Sequence, residues 1–178
     1  MAKEKRIGLF ETDVTLTGKH ATYLKYLVND AKIYDDYIDV YMNAAVLGFL
    51  YSKKEDRDNG SADRARIYAD AFSTHRDECI FLYRLIMLLD EDDITVDERL
   101  DKAFRYDSNP EKIEDFKENL ETFDSYVRGG IEYMYDVFVT GCTSRDDYIR
   151  ETFNVIRNFK DSIEGVSYDE KIKKLLNR

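Results

Sequence analysis

The sequence predicts an all-α protein, a single-domain helical bundle of about six to eight helices with a short extended N-terminal arm. The 178 residues include only one proline and eight glycines, so few positions force a helix to end. Long stretches repeat apolar residues at steps of three and four, which is the spacing of one helix face. Charged residues make up 36% of the chain and apolar residues 43%, a mixture typical of amphipathic helices with charged outer faces.

The predicted bundle domain covers residues 18–164, and residues 1–17 form the arm. The stretch IGLFETDVTLT at 7–17 is the only plausible extended segment. No partner strand is evident, so we expect this segment to pack on the helices and not to join a sheet.

The first half of the bundle contains three predicted helices. Thr17 is expected to cap a helix over 18–33, and an apolar stripe predicts a second helix over 35–54. Asn59-Gly60 then signals a turn. A short helix is predicted to follow over 61–72.

The most hydrophobic helix is predicted over residues 74–89. Almost every position from Cys79 to Leu89 is apolar, and Arg84 is the only charge within that run. A helix that is apolar on all sides is buried on all sides. We therefore expect this helix to be central.

The second half contains longer helices with clear start signals. Thr95-x-x-Glu98 has capping-box spacing and predicts a helix to about Tyr106. Asn109-Pro110 places a cap before a proline, which predicts a helix over 110–141. Gly129-Gly130 falls within it, where we expect a kink or a close approach to another helix.

The last helix of the bundle is predicted over 144–163, capped by Ser144 with Asp147. Its apolar stripe consists of Ile149, Phe153, Ile156, Phe159 and Ile163. Beyond it, Ser167-x-x-Glu170 predicts a short basic C-terminal helix within 165–178.

The charge distribution argues against ordinary nucleic-acid binding. The net charge is −10, but residues 1–6 carry +2 and residues 171–178 carry +4, so the body between them carries −16. Such a body repels phosphate backbones, so we expect no direct nucleic-acid binding.

Cysteine usage and hydropathy indicate a cytoplasmic protein. Cys79 and Cys142 form no CxxC motif and no zinc-ligand spacing, and we expect both to be buried free thiols in a reducing compartment. The N-terminal sequence lacks the apolar run of a signal peptide. The run Cys79–Leu89 is too short to span a membrane, so no membrane association is expected.

No catalytic constellation, phosphate loop or cofactor motif is recognisable, so no cofactor is expected. The best enzymatic alternative is a magnesium-dependent all-α nucleotide pyrophosphohydrolase, which would hold the ion with acidic residues on two helices. The candidate ligands are Asp36 with Asp39, and Glu114 with Glu118 and Glu121.

Two features indicate contacts with other groups. Arg84 is a candidate buried anion or ion-pair site, because a buried arginine needs an acceptor. Two adjacent glycines cost about 1 kcal/mol each in a helix interior, and close packing on another helix, in the same or a second subunit, would offset that cost. The candidate interface residues are Tyr126, Arg128, Gly129, Gly130 and Tyr133.

These observations favour a non-catalytic protein–protein interaction or assembly subunit, an accessory component of a larger bacterial-type complex. The expected partners are protein chains, including further copies of this one. A second alternative is an acidic regulator that mimics nucleic acid and occupies the basic groove of a nucleic-acid-processing or phage-defence machine.

Overall fold

The computed structural model describes residues 8–90 and 94–164, and within these ranges it confirms a mainly helical fold. The chain divides into two compact units, residues 1–135 and 136–178. The predicted C-terminal helix within 165–178 lies outside the described residues. The described helices are α1 Gly18–Lys25, α2 Tyr37–Leu50, α3 Ala69–Thr74, α4 Arg76–Leu89, α5 Val96–Phe104, α6 Ile113–Phe138 and α7 Arg145–Glu164.

The N-terminal arm contains a strand that pairs with a second strand, which corrects two sequence predictions. β1 Val14–Thr17 pairs antiparallel with β2 Arg64–Ile67. The predicted helix over 61–72 is wrong in its first part, because α3 begins only at Ala69. In β2 the second and fourth residues are buried and the first and third are exposed. This period of two belongs to a strand and not to a helix.

A glycine in the left-handed region begins α1. Gly18 has φ 62°, and a Cβ added there would lie 2.2 Å from a carboxylate oxygen of Asp58. The same carboxylate accepts a hydrogen bond from the Lys19 backbone N–H at 2.6 Å, so Asp58 supplies the cap that was predicted for Thr17. The helix continues into a π-helical turn over Tyr26–Asp30, close to its predicted length.

The core of the first unit combines side chains from α1, α2, α3, α4 and α6. Tyr41 meets Phe72 edge-on with ring centroids 5.4 Å apart, and Tyr83 lies 5.8 Å from Phe123. Each buried side chain of this size stabilises the fold by about 1.5–3 kcal/mol. The largest fully buried residues include Leu24, Tyr41, Phe72, Tyr83, Met87, Phe116, Phe123, Ile131 and Met134.

The prediction that the helix over 74–89 is buried on all sides is wrong. Its buried residues, Cys79, Tyr83, Ile86 and Met87, are spaced as one helix face. On the other side, Phe81 exposes 61% of its surface. The helix therefore has a core face and a separate apolar outer face.

The predicted starts of α5 and α6 are confirmed. Thr95 and Glu98 form a reciprocal capping box, in which the Thr95 N–H donates to Glu98 Oε2 at 2.8 Å. Asn109 Oδ1 accepts a hydrogen bond from the Glu111 N–H at 3.0 Å, and one 3₁₀ turn leads into α6. α6 then runs unbroken to Phe138, so the glycine pair does not interrupt it.

The predicted cap of α7 is also confirmed. The Asp147 N–H donates to Ser144 Oγ at 3.3 Å, and the Ser144 N–H donates to Asp147 Oδ2 at 3.0 Å. The Ser144 hydroxyl and then the Thr143 N–H also donate to the Asp147 carboxylate, and these bonds hold its pKa well below the usual range. In the described part of the chain, no helix combines the length and apolarity needed to cross a membrane.

Candidate functional site

The Gly129-Gly130 pair lies where α6 crosses α2 of the same chain. A Cβ added to Gly130 would lie 1.9 Å from the Ala44 carbonyl oxygen. A Cβ added to Gly48 of α2 would lie equally close, 1.9 Å, to the Tyr126 carbonyl oxygen. The helix backbones are in contact because these positions lack side chains. The predicted close approach is confirmed, and its partner is a helix of the same chain.

Most of the residues predicted to form an interface hold parts of this chain together. Arg128 is buried, and it donates from Nε to the Glu55 carbonyl at 2.7 Å and from its terminal nitrogen to Glu121 Oε1 at 2.7 Å. The Glu55 N–H donates to the Ser125 carbonyl at 3.0 Å. The segment after α2 is thereby fastened onto α6. The interface candidates that lie in this interior are Tyr126, Arg128, Gly129 and Gly130.

Tyr133, the fifth interface candidate, remains partly accessible. Its ring stacks on Tyr51 with centroids 4.4 Å apart. Burial, and then the neighbouring Tyr51 hydroxyl, raise the pKa of Tyr133 to about 12. Tyr51 itself is exposed. The aromatic pair forms a surface feature, but its main contact is within the chain.

Arg84 is only partly buried, so the prediction of a buried arginine is wrong. Its side chain exposes 36% of its surface, because α4 turns its outer side to solvent. The guanidinium lies 3.7 Å from Asp107 Oδ2 and 5.3 Å from the centre of the Phe104 ring. Arg84 is thus an ion-pair residue on the outer side of α4.

The acidic residues considered as magnesium ligands are not gathered into one site. In the described ranges, neither Asp36 with Asp39 nor Glu114 with Glu118 belongs to a group of three or more close potential ligands. Glu121 is occupied by two arginines, with Arg57 2.5 Å from one oxygen and Arg128 2.7 Å from the other. Burial alone would raise the pKa of Glu121, but the two guanidiniums lower it.

A different group brings His20, Glu55 and Glu132 within 4.8 Å of one another. Lys19 lies among them, with its ammonium 2.6 Å from Glu132 and 3.6 Å from Glu55. The hydrogen bond to Glu132 raises the pKa of Lys19. The ammonium therefore supplies the positive charge that a metal ion would bring to these carboxylates.

The surroundings of His20 also fit an ion-pair network better than a metal centre. Its side chain is fully buried, and Nε2 lies 2.9 Å from Glu132 Oε1. Burial lowers the pKa of His20, which favours the neutral ring, so His20 takes part in the network as a hydrogen-bond donor to Glu132. Nδ1 has no hydrogen-bond partner among the described residues, whereas a metal-bound histidine normally donates its second ring nitrogen to an acceptor. No spacing signal along the chain marks this group, because its members come from three distant segments.

An exposed apolar surface extends over α4 and α5. The apolar stripe of α5 has one residue per turn and faces away from the core. On the core side of α5, Ala103 is buried. The outer side of α4 adds a second stripe with the same spacing of one residue per turn. We call the exposed residues of both stripes the α4–α5 face; they each expose between 37% and 70% of their surface and are Phe81, Leu85, Leu89, Val96, Leu100 and Phe104.

A groove with a volume of about 500 Å³ lies in this face. Ile80, Leu85 and Leu88 contribute its apolar lining from α4, and Phe104 contributes from α5. Asp77 and Arg84 also line it. Scattered exposed apolar residues are normal on a protein surface, but contiguous apolar patches of several hundred Å² mark interaction sites.

A second exposed apolar surface lies on α7. Between residues 145 and 161 no side chain is fully buried. The outward stripe follows the i, i+4, i+7 spacing that was predicted from the sequence. We call it the α7 stripe; its residues expose between 38% and 63% of their surface and are Ile149, Phe153, Ile156 and Phe159.

Comparison with models of known protein families gave no match, and comparisons with curated proteins and with solved structures gave none. The function is therefore inferred from the residues and their geometry.

Proposed function

We propose that this chain is a protein-interaction subunit that assembles with other protein chains through the α4–α5 face. The observation that carries the proposal is the orientation of α5. This helix is amphipathic, yet its apolar stripe points to solvent. A surface helix normally turns its apolar stripe toward the core, so an outward stripe indicates a partner outside the chain.

The geometry of the face supports binding to a helix. The apolar outer side of α4, together with Phe104 of α5, lines the groove, and this arrangement suits an amphipathic helix that inserts anchors at i, i+4 and i+7. Arg84 supplies a polar group at the groove, and arginine and aromatic residues are enriched at interface hot spots. The proposed interaction surface is therefore the α4–α5 face and not the residues around Gly129-Gly130.

Other aspects of the proposal rest on the same reasoning. An assembly subunit needs no cofactor, and we propose a cytoplasmic accessory role within a larger complex. The free thiol of Cys79 fits a reducing compartment, since burial raises its pKa to about 12 and makes it unreactive.

The test compares two double variants as affinity-tagged baits in the cells that make the protein. Phe81→Ser with Leu100→Ser alters the α4–α5 face. The control is Val46→Ser with Leu50→Ser, which changes apolar residues on α2 that are exposed by 40% and 52%. Because all four side chains are exposed, circular dichroism and the thermal midpoint should show folded proteins in both cases.

Quantitative mass spectrometry of the captured proteins gives the result. We expect the native bait and the α2 control to recover the same protein partners, untagged copies of the chain included. The α4–α5 variant should lose them at least about tenfold, the effect of removing about 1.4 kcal/mol of binding free energy. Equal recovery by the two double variants would refute the proposal.

A further inference from the structure

We propose that the α7 stripe of a second copy of this chain occupies the groove of the α4–α5 face, and that two copies exchange α7 reciprocally to form a closed dimer. This inference rests on the proposed function and names its partner. The chain carries both parts of such an interface, an apolar groove and an amphipathic helix with an exposed apolar stripe. Reciprocal exchange about a two-fold axis satisfies both in each copy and closes the assembly.

The two surfaces match in length and in spacing. The α7 stripe runs from Ile149 to Phe159, about 15 Å along the helix at 1.5 Å per residue. The α4 part of the groove face runs from Phe81 to Leu89, about 12 Å on the same basis. Ile149, Phe153 and Ile156 stand at i, i+4 and i+7, which is the anchor spacing of a helix that binds in a groove.

The exposed area is the amount that a stable dimer requires. If a large apolar residue offers roughly 150–200 Å² when fully exposed, the α4–α5 face leaves about 500 Å² uncovered and the α7 stripe about 400 Å². One helix-in-groove contact would bury about 900 Å², which falls short of the roughly 1,200–2,000 Å² of stable interfaces. Two such contacts bury about 1,800 Å², which falls within that range. The area therefore favours reciprocal exchange over a single contact.

Charged groups lie beside both surfaces. Asp77 and Arg84 both line the groove, and the Arg84 guanidinium already lies 3.7 Å from Asp107 Oδ2. On α7, the Arg157 guanidinium lies 5.8 Å from the centre of the Phe153 ring, so a positive charge borders the stripe. Charges at the rim of an interface direct association and orientation more than they add affinity. Since Arg84 already faces Asp107, Asp77 is the acidic group that Arg157 of a second copy can meet at the groove.

The test uses the purified full-length chain and one charge substitution on each surface. Phe81→Glu alters the groove and Phe153→Lys alters the stripe. Leu50→Glu, at a position of α2 that is 52% exposed, is the control. Light scattering coupled to gel filtration should give twice the 21.0 kDa chain mass for the native protein and for the control. Each interface variant should weaken the dimer at least about 100-fold and elute as a monomer, because the substitution occurs in both contacts.

Mixing the two monomeric variants decides between helix-in-groove pairing and a symmetric contact. The mixed dimer contains one native α7–groove pair and one pair in which both substitutions meet. In that second pair, the carboxylate introduced by Phe81→Glu faces the ammonium introduced by Phe153→Lys, so dimers should reappear at equimolar mixing. Ile156→Lys serves as a second stripe variant, and circular dichroism checks that each variant is folded.

Three results would overturn the inference. The native chain could remain a monomer at concentrations up to about 100 µM, which would mean that self-association is weaker than in a specific dimer that buries this area. Either single variant could keep the native dimer, which would indicate a stripe–stripe or groove–groove contact. The mixture could also fail to restore dimers. If the chain is monomeric while the α4–α5 variant still loses partners in cells, the proposed function stands and only self-assembly fails.

Discussion

Replacement of Gly130 by alanine tests the contact between α2 and α6 directly. At an ordinary helix position this change stabilises a protein by about 1 kcal/mol. Here the new Cβ would lie 1.9 Å from the Ala44 carbonyl oxygen, whereas ordinary van der Waals contact begins at 3.4 Å. The two helices must therefore separate by roughly 1.5 Å, since backbone atoms, unlike the end of a long side chain, have no room to turn aside.

The separation weakens contacts along the whole crossing. A gap of about 0.5–1 Å already removes a quarter to a half of the dispersion attraction between two surfaces. Ala44, Val127 and Ile131 are fully buried there. We take about 3 kcal/mol for overpacking against backbone, the upper end of the usual range. The helix-propensity gain of about 1 kcal/mol offsets part of this cost, so the expected net loss in the free energy of unfolding is about 2 kcal/mol.

Urea unfolding followed by circular dichroism measures this loss, with all variants at one protein concentration because association shifts apparent stability. Gly60→Ala is the matched control, since the nearest atom to its added Cβ is a side-chain oxygen of Asp58 at 3.0 Å. Its expected change is within about 0.5 kcal/mol. A Gly130→Ala variant as stable as the native chain would refute the account. A lower oligomer mass with unchanged unfolding free energy would instead indicate that the glycines serve a second subunit.

Three further outcomes are expected. Burial raises the pKa of Asp124 to about 6, although the hydrogen bond from Tyr41 acts to lower it. The folded state therefore binds the Asp124 proton more tightly than the unfolded state does. The resulting stabilisation of the fold is complete below pH 3.8 and is lost as the pH rises through 6. The Asp124→Asn variant should therefore gain up to about 3 kcal/mol over the native chain between pH 4 and pH 7 in urea unfolding, and parallel profiles would contradict this. Thr95→Ala should remove the capping box and lower the hydrogen-exchange protection of α5 amides about fivefold, which corresponds to a loss of about 1 kcal/mol in helix stability. Unchanged protection would mean that the cap does not stabilise α5. Lys19→Met should let Zn²⁺ raise the thermal midpoint of unfolding, while the midpoint of the native chain should not change with Zn²⁺. An equal response of the two proteins would show that the Lys19 ammonium does not occupy the place of a cation between Glu55 and Glu132.

The helices were predictable because their signals are local. The capping box at Thr95, the cap at Asn109 and the cap at Ser144 each depend on residues within three positions of one another. Local hydrogen bonds of this kind are encoded in short sequence windows. The close approach at Gly129-Gly130 was predictable for the same reason, although its partner was not, since Ala44 is far away in the sequence.

The errors concern features that depend on distant parts of the chain. β1 required a partner strand about 50 residues away, and the alternating pattern of β2 was too short to stand out against the helical periodicity around it. The network of Lys19, His20, Glu55 and Glu132 likewise joins separate segments. In α4, apolar residues occupy both faces, and hydropathy alone does not distinguish a face that meets the core from one that meets another chain.

The same ambiguity in α7 leads to a final prediction. Helix stability in proteins comes mainly from packing of an apolar face and much less from intrinsic propensity. Since α7 buries no side chain fully between residues 145 and 161, its helical state should depend on what covers the α7 stripe. Phe81→Glu leaves the α7 sequence unchanged but removes the proposed cover. Hydrogen exchange of α7 amides should therefore be at least about tenfold faster in this variant than in Leu50→Glu, and equal rates would mean that α7 is stable without the groove.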